Sequence, residues 1–301
     1  MNVFGRRAAR AGIVKASFPH IKALVELVKP RALVMIIFTT GLSYLIAATD
    51  TVVWTRFVHT LIGVGLAGGG SLALNQYMER RLDARMARTQ GRPLPSGRLQ
   101  PAQALFFGWA SMLSGYIYLW FWVNPLCSAA TLACGVSYLL MYTPLKLRSS
   151  FSSFVGAIPG GLLPLMGWAA ARGRLEIGAW VLFVILFLWQ IPHALIISIR
   201  HREDYRNVGM KQLPIVAYRH TSSRQMIVNL LVLIPVTILP PLLNMTKAVY
   251  PFVALGMGLA LLGLALHYVR NDSERSANRV FLSLTAYLPL LLLAMYLDKP
   301  A

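Results

Sequence analysis

Nine long, nearly uninterrupted apolar stretches dominate this chain of 301 residues. They fall at 32–48, 58–77, 101–123, 125–142, 152–170, 177–199, 225–243, 249–269 and 278–297. An α-helix needs about 20 mostly apolar residues to cross the hydrocarbon core of a bilayer, and each stretch is close to that length. Together they leave no room for a separate soluble domain. Charged residues make up only 13% of the chain, about half the fraction usual in soluble domains. The runs also lack the apolar–polar alternation of membrane β-barrel strands. The expected fold is therefore an all-α polytopic transmembrane bundle of about nine helices. A basic N-terminal segment, 1–31, precedes a single membrane domain over 32–297.

The net charge of +19 could suggest a nucleic-acid partner, but its distribution excludes one. With the N-terminus in the cytoplasm, 24 of the 29 Lys and Arg residues fall in inner segments and 5 in outer ones. That asymmetry is the positive-inside rule. It predicts a cytoplasmic N-terminus, an outer C-terminus and a lipid bilayer as the main surroundings, the inner membrane of a prokaryotic cell. Arg6, Arg7, Arg10, Lys15, Lys22, Lys29 and Arg31 form a basic region too long for a signal peptide, with no clear small-residue cleavage pattern, so the segment is expected to be retained. Cys127 and Cys134 stand seven residues apart. On one helix that is about 10 Å, beyond disulfide reach, so they read as packing residues.

Chemistry concentrates in two inner connections, 78–100 and 200–224. They are spaced four helices apart, as in a bundle of two similar halves, and sites often form where such halves meet. Four of the ten carboxylates, Glu79, Asp83, Glu203 and Asp204, lie in or beside them. Asn75, Glu79 and Asp83 recur at every fourth position and so share one helical face. Oxygens in such a row suit Mg²⁺, which is commonly held by one or two carboxylates plus substrate phosphates. Arg80, Arg81, Arg85, Arg88, Arg92 and Arg98 surround the row. Ion pairing along the helix surface would explain an isolated set of this kind. Two acidic clusters rimmed by arginine instead describe a diphosphate site. His193, beside Gln190 and Pro192, lies within an apolar run, where a polar side chain is costly and marks a functional candidate. His201 and Tyr205 flank the second acidic cluster, and Tyr142 and Lys146 close the fourth apolar stretch at the inner side.

Asn75-x3-Glu79-x3-Asp83-x2-Met86-x-Arg88-Thr89-x2-Arg92-Pro93-Leu94 resembles the first acidic motif of the UbiA-type intramembrane prenyltransferases. Its tail resembles the heme O synthase (protoheme IX farnesyltransferase) branch. Tyr142-Thr143-Pro144-Leu145-Lys146, Gly167-Trp168, Trp189-Gln190-x-Pro192-His193, Asp204-Tyr205 and Met210-x2-Leu213-Pro214 carry the same likeness, in order, from about residue 30 to 297. The resemblance implies a nine-helix bundle with a central cavity opening to the cytoplasmic side. It also implies transfer of a farnesyl group from farnesyl diphosphate to a vinyl group of heme b, giving heme O for terminal oxidases. On this reading Asn75, Glu79, Asp83 and Asp204 hold Mg²⁺ and act in catalysis with Lys146. Arg88, Arg92, Tyr142, Gln190, His193, His201 and Tyr205 contact the substrates. Heme-handling or oxidase-assembly proteins are the implied partners. Three positions depart from the family: Glu79 where Asp is usual, Leu147 where Arg follows the lysine, and Ala194 in place of an aromatic residue. A quinone- or chlorophyll-type prenyltransferase would share the acidic motifs. A secondary transporter would be expected to place its ionisable groups near mid-bilayer rather than at one face.

Overall fold

The computed structural model describes residues 17–49, 51–217 and 219–300. Arg6, Arg7, Arg10 and Lys15 lie outside the described residues. A short helix, α1 (Ser17–Leu27), leads into α2 (Pro30–Ala47), α3 (Trp54–Asp83), α4 (Pro101–Trp122) and α5 (Pro125–Val136). After a single turn at Ser152–Val155 follow α6 (Ala157–Arg172) and α7 (Ile177–Arg200). A short α8 (Arg202–Asn207) precedes α9 (Arg219–Thr237), α10 (Val249–Asn271) and α11 (Glu274–Leu297). Among the described residues nine helices are long and apolar enough to cross a membrane, in the order expected from the sequence. Phe106, Phe121, Leu242 and Phe252 are each at least 75% exposed on the outside of the bundle, which is intelligible only if lipid covers them.

Helices adjacent in the chain pack side by side, and α11 returns against both α2 and α7. The α3–α4 contact is the tightest. A Cβ on Gly70 would lie 2.6 Å from the Gly108 carbonyl oxygen, and Gly115 lies equally close to Ala67 and Gly63. Small residues let two membrane helices approach to backbone contact, which is how helices associate where hydrophobic burial offers no preference. Asn124 begins α5 by accepting from the Cys127 amide at 2.8 Å, so the connection at Asn124-Pro125 is a true cap. Both cysteines are free. At the far end Lys299 Nζ donates to the carbonyls of Leu45 and Ala48, tying the last span to the first.

Two departures from regularity shape the interior. α3 continues to Asp83, six residues beyond the expected end at 77, so Glu79 and Asp83 ride on helix rather than loop. After α5 the chain widens into a π-helix at Ser137–Tyr142. Pro144 explains it: proline cannot donate to the carbonyl four residues back and its ring crowds that carbonyl. The Thr143 amide reaches Tyr138 O instead. Such widened turns are frequent at functional sites. Here Tyr138 and Tyr142 stack with ring centres 6.0 Å apart.

Candidate active site

Asn75, Glu79 and Asp83 stand on successive turns of α3 and are 1%, 8% and 1% exposed. Each is met by a cation from a different segment. Lys29 Nζ donates to Asn75 Oδ1 at 2.7 Å, and Asn75 Nδ2 in turn donates to Thr143 Oγ1 at 3.0 Å. Lys146 forms an ion pair with Glu79. Arg92 Nη1 lies 2.7 Å from Asp83 Oδ2. Lys29, Asn75, Glu79, Asp83, Arg92 and Lys146, with Arg88, Tyr205 and Gln212, line a polar pocket of about 160 Å³ at one end of the bundle.

The two inner connections do meet. Met86 packs against Val208, Met210 and Tyr205. Arg85 Nη2 donates to the Asn207 carbonyl at 3.1 Å, and the Lys211 amide to the Lys146 carbonyl at 2.8 Å. Withdrawal from water opposes the charge of Lys146, yet the Glu79 carboxylate holds its ammonium above the usual lysine range. Withdrawal from water, with the nearby Arg92 charge, pushes Lys29 down to about 7. His201 is lowered by burial and by Arg88.

A second, apolar cavity of about 370 Å³ adjoins the polar pocket, and Tyr138 and Tyr142 belong to both walls. Gln190 and His193 line it from α7, and Met35 and Thr285 line it from α2 and α11. Met35 and Thr285 are exposed on the flank of the bundle, so the cavity reaches the lipid side between the first and last spans. Its volume is near the lower end of small-molecule pockets. The His193 ring lies between those of Trp189 and Phe281, with centres 4.7 and 5.8 Å away. The Trp189 indole donates to the Leu284 carbonyl at 2.9 Å. His193 Nδ1 is buried and makes no hydrogen bond among the described residues.

The residues picked from the sequence therefore divide between the pockets. Asn75, Glu79, Asp83, Arg88, Arg92, Lys146 and Tyr205 surround the polar one, Gln190 and His193 the apolar one, and Tyr142 both. His201 and Asp204 are half-buried just beyond the polar wall, Asp204 beside Tyr205. Arg98 departs from the expected rim: it pairs with Glu26 at 2.6 Å on the surface. Arg80 folds over Tyr77 rather than pairing with Glu79. Sequence reasoning missed Lys29, Tyr138 and Gln212. Lys29 was one of seven basic residues before the first span, and nothing in their spacing sets it apart.

Among the described residues no three His, Cys, Asp or Glu side chains gather as a preformed metal nest. Asp83 Oδ1, however, is buried without a hydrogen-bond partner. An orphaned carboxylate oxygen on a pocket wall, beside Asn75 and Glu79, suits a hard cation.

Fold and pockets together define a polytopic α-helical membrane protein with a polar, charge-lined pocket at one end and an apolar cavity beside it. The chain belongs to the UbiA prenyltransferase family, whose model matches residues 34–290. It is 41% identical over 286 residues to the protoheme IX farnesyltransferase of Solibacter usitatus, covering 92% of this chain and 98% of the relative. The enzyme of the same name from Myxococcus xanthus is 38% identical over 285 residues, covering 94% and 97%. Among solved structures, a UbiA homolog from Archaeoglobus fulgidus bound to DMAPP and Mg²⁺ has a TM-score of 0.69 at 12% identity, covering 91% of this chain and 98% of that one. A digeranylgeranylglyceryl phosphate synthase structure gives 0.78 at 17% identity, covering 93% and 98%.

Proposed function

We propose that this prenyltransferase moves a farnesyl group from farnesyl diphosphate to a vinyl carbon of heme b, giving heme O. One observation carries the reading: a polar pocket with four cations on its wall shares two tyrosines with an apolar cavity beside it. A diphosphate bearing a long apolar chain has that same division. The names of the relatives and a histidine on the cavity wall, His193, support heme as acceptor, with Gln190 beside it.

Arg88, Arg92 and Lys146 would take up the negative charge that grows on the departing diphosphate as the carbon–oxygen bond of the farnesyl group breaks. Prearranged cations of this kind are usually the main lever on rate. Mg²⁺, when held by Asn75, Glu79 and Asp83 together with Asp204, supplies further neutralisation of the diphosphate. Tyr138, Tyr142 and the apolar walls keep water from the allylic cation until the heme vinyl group attacks it. One water then adds to the resulting cation and gives up a proton. Tyr205 closes the pocket from the second connection, with His201 behind it.

The domain runs over 32–297, behind the basic segment 1–31. The polar pocket faces the cytoplasm of a prokaryotic cell across its inner membrane, with the C-terminus outside. Heme-handling or oxidase-assembly partners would deliver heme b and collect the product. Reporter fusions at residues 90 and 212 should both read cytoplasmic and one at 174 outside; opposite faces for 90 and 212 would end the shared-pocket reading. The activity is tested by incubating purified protein with farnesyl diphosphate, Mg²⁺ and either heme b or an aromatic acid, and weighing the product by mass spectrometry. A prenylated aromatic acid and unchanged heme would redirect the assignment to another branch of the family.

A further inference from the structure

Two turns beyond His193, α7 ends in Arg200. Trp189, His193 and Arg200 stand at i, i+4 and i+11, which places them on one helical face. Phe281 of α11 packs against that face. Its ring centre lies 5.8 Å from the His193 ring and 4.2 Å from the Arg200 guanidinium carbon. His193 and Arg200 are separated by a helical rise of about 10 Å, room for one aromatic ring between them. A guanidinium is planar and weakly hydrated, so a ring can cover its face while its N–H edge stays free. Arg200 is exposed, and among the described residues no carboxylate pairs with it. Held flat with an open edge, it is arranged for a two-pronged hold on a carboxylate.

The apolar cavity shows whose carboxylate that is. Its volume of about 370 Å³ is near the lower end for one small-molecule ligand, and a farnesyl chain and a porphyrin are two. A porphyrin whose reacting edge enters the cavity must therefore leave its opposite edge outside. Thr285 of α11 lines the cavity where it meets the exposed flank of the bundle. Phe281 is one turn nearer the start of α11, at the end where Arg200 stands. Heme b carries vinyl groups on one edge of its ring and propionates on the opposite edge. We propose that Arg200, seated on Phe281, takes a propionate of the heme acceptor and so leaves the vinyl edge turned into the cavity, toward the prenyl carbon. Arg200 lines neither pocket; its part is to select a porphyrin with free carboxylates and to fix which edge goes in. This rests on the reading of heme b as acceptor.

The test compares heme b with its dimethyl ester, in which both propionates are capped. Each is titrated by its Soret absorbance into the full-length protein in phosphatidylcholine nanodiscs, against empty nanodiscs. The parent protein should bind heme b about tenfold more tightly than the ester, the worth of one charged hydrogen bond at an exposed site. Arg200→Gln should bind the ester as the parent does and heme b no better than the ester. Its melting temperature and its affinity for a non-ionising farnesyl diphosphate analogue should be unchanged. Arg200→Lys, which keeps the charge without the fork, should keep only part of the preference. A parent protein that binds heme b and the ester alike overturns the proposal without any variant, and leaves Arg200 as an anchor at the lipid surface. A full preference surviving in Arg200→Gln places the propionate on another residue and overturns the role of Arg200. Equal weakening of both porphyrins in that variant also overturns it, since only packing would then have been lost. A parent protein that binds the farnesyl analogue but neither porphyrin overturns the heme reading itself and this inference with it.

Discussion

The polar pocket at the end of α3 gathers Lys29, Glu79, Asp83, Arg88, Arg92 and Lys146 around about 160 Å³. The apolar cavity beside it encloses about 370 Å³ with its polar groups few and spread. In the first, charge dominates: Glu79, Asp83 and the Asn75 amide each hold a cation, while Asp83 Oδ1 is left without a partner. In the second, shape does the work, and His193 Nδ1 is left without a partner. The difference teaches that the two chambers would select a ligand by different physics, charge in one and shape in the other. Damage to one pocket should therefore leave the binding function of the other measurable.

The largest effect is expected from Asp83→Ala. Turnover should fall by at least about 10²–10³-fold, the size of losing one preorganised electrostatic contact, while melting in detergent shows folded protein. Near-normal turnover would remove Asp83 from the proposed metal site. Glu79 comes next. Glu79→Gln keeps the shape but strands Lys146, and at saturating Mg²⁺ it should lower turnover on the order of a hundredfold, whereas Glu79→Asp keeps substantial activity. Parent-like behaviour of Glu79→Gln would remove Glu79 from the proposed metal site and leave Asp83 with Asn75 to hold the cation on that side.

His193→Ala probes the other side of the comparison. It should weaken heme b about tenfold, the worth of one ligand contact, and leave binding of the farnesyl diphosphate analogue unchanged. Equal loss of both would show that the two pockets are not independent. The smallest effect belongs to the surface pair that left the rim. A hydrogen bond from Arg98 holds the Glu26 carboxyl below its ordinary 4.5. A lowered folded value adds stability above the unfolded value and loses it as the pH falls through the folded one. Arg98→Ala should thus cost about 0–1 kcal/mol at neutral pH, fading below about pH 4.5, with turnover unaffected.

The spans were legible because apolar length is a one-dimensional property, and all nine appear in order. The row Asn75, Glu79, Asp83 was legible because helical period carries it. Which cation meets which oxygen was not. Arg92 and Arg98 looked alike as neighbours of the acids, yet one turns onto Asp83 and the other onto Glu26. Lys29 comes from 46 residues away, and the turn before it is held by Gln76, a residue with no distinctive pattern. The end of α3 was misjudged for a related reason: its last turns are charged, so hydropathy stops where the helix does not.

The π-helix at Ser137–Tyr142 has a consequence for what kinds of damage this gene product can carry. A helix advances about 100° per residue, and the widened turn takes up one residue between the packed start of α5 and the site residues after it. Deleting one residue within the widened turn would let it close to ordinary α-helix, whereas deleting one from the regular turns of α5 ahead of it would leave the span nearly as long and as greasy. Insertion into the bilayer, assembly and abundance would all look normal. Tyr142 and Lys146, however, would swing by about 100°, away from Glu79. Such a lesion would pass every cellular check for a sound membrane protein and yield a silent enzyme.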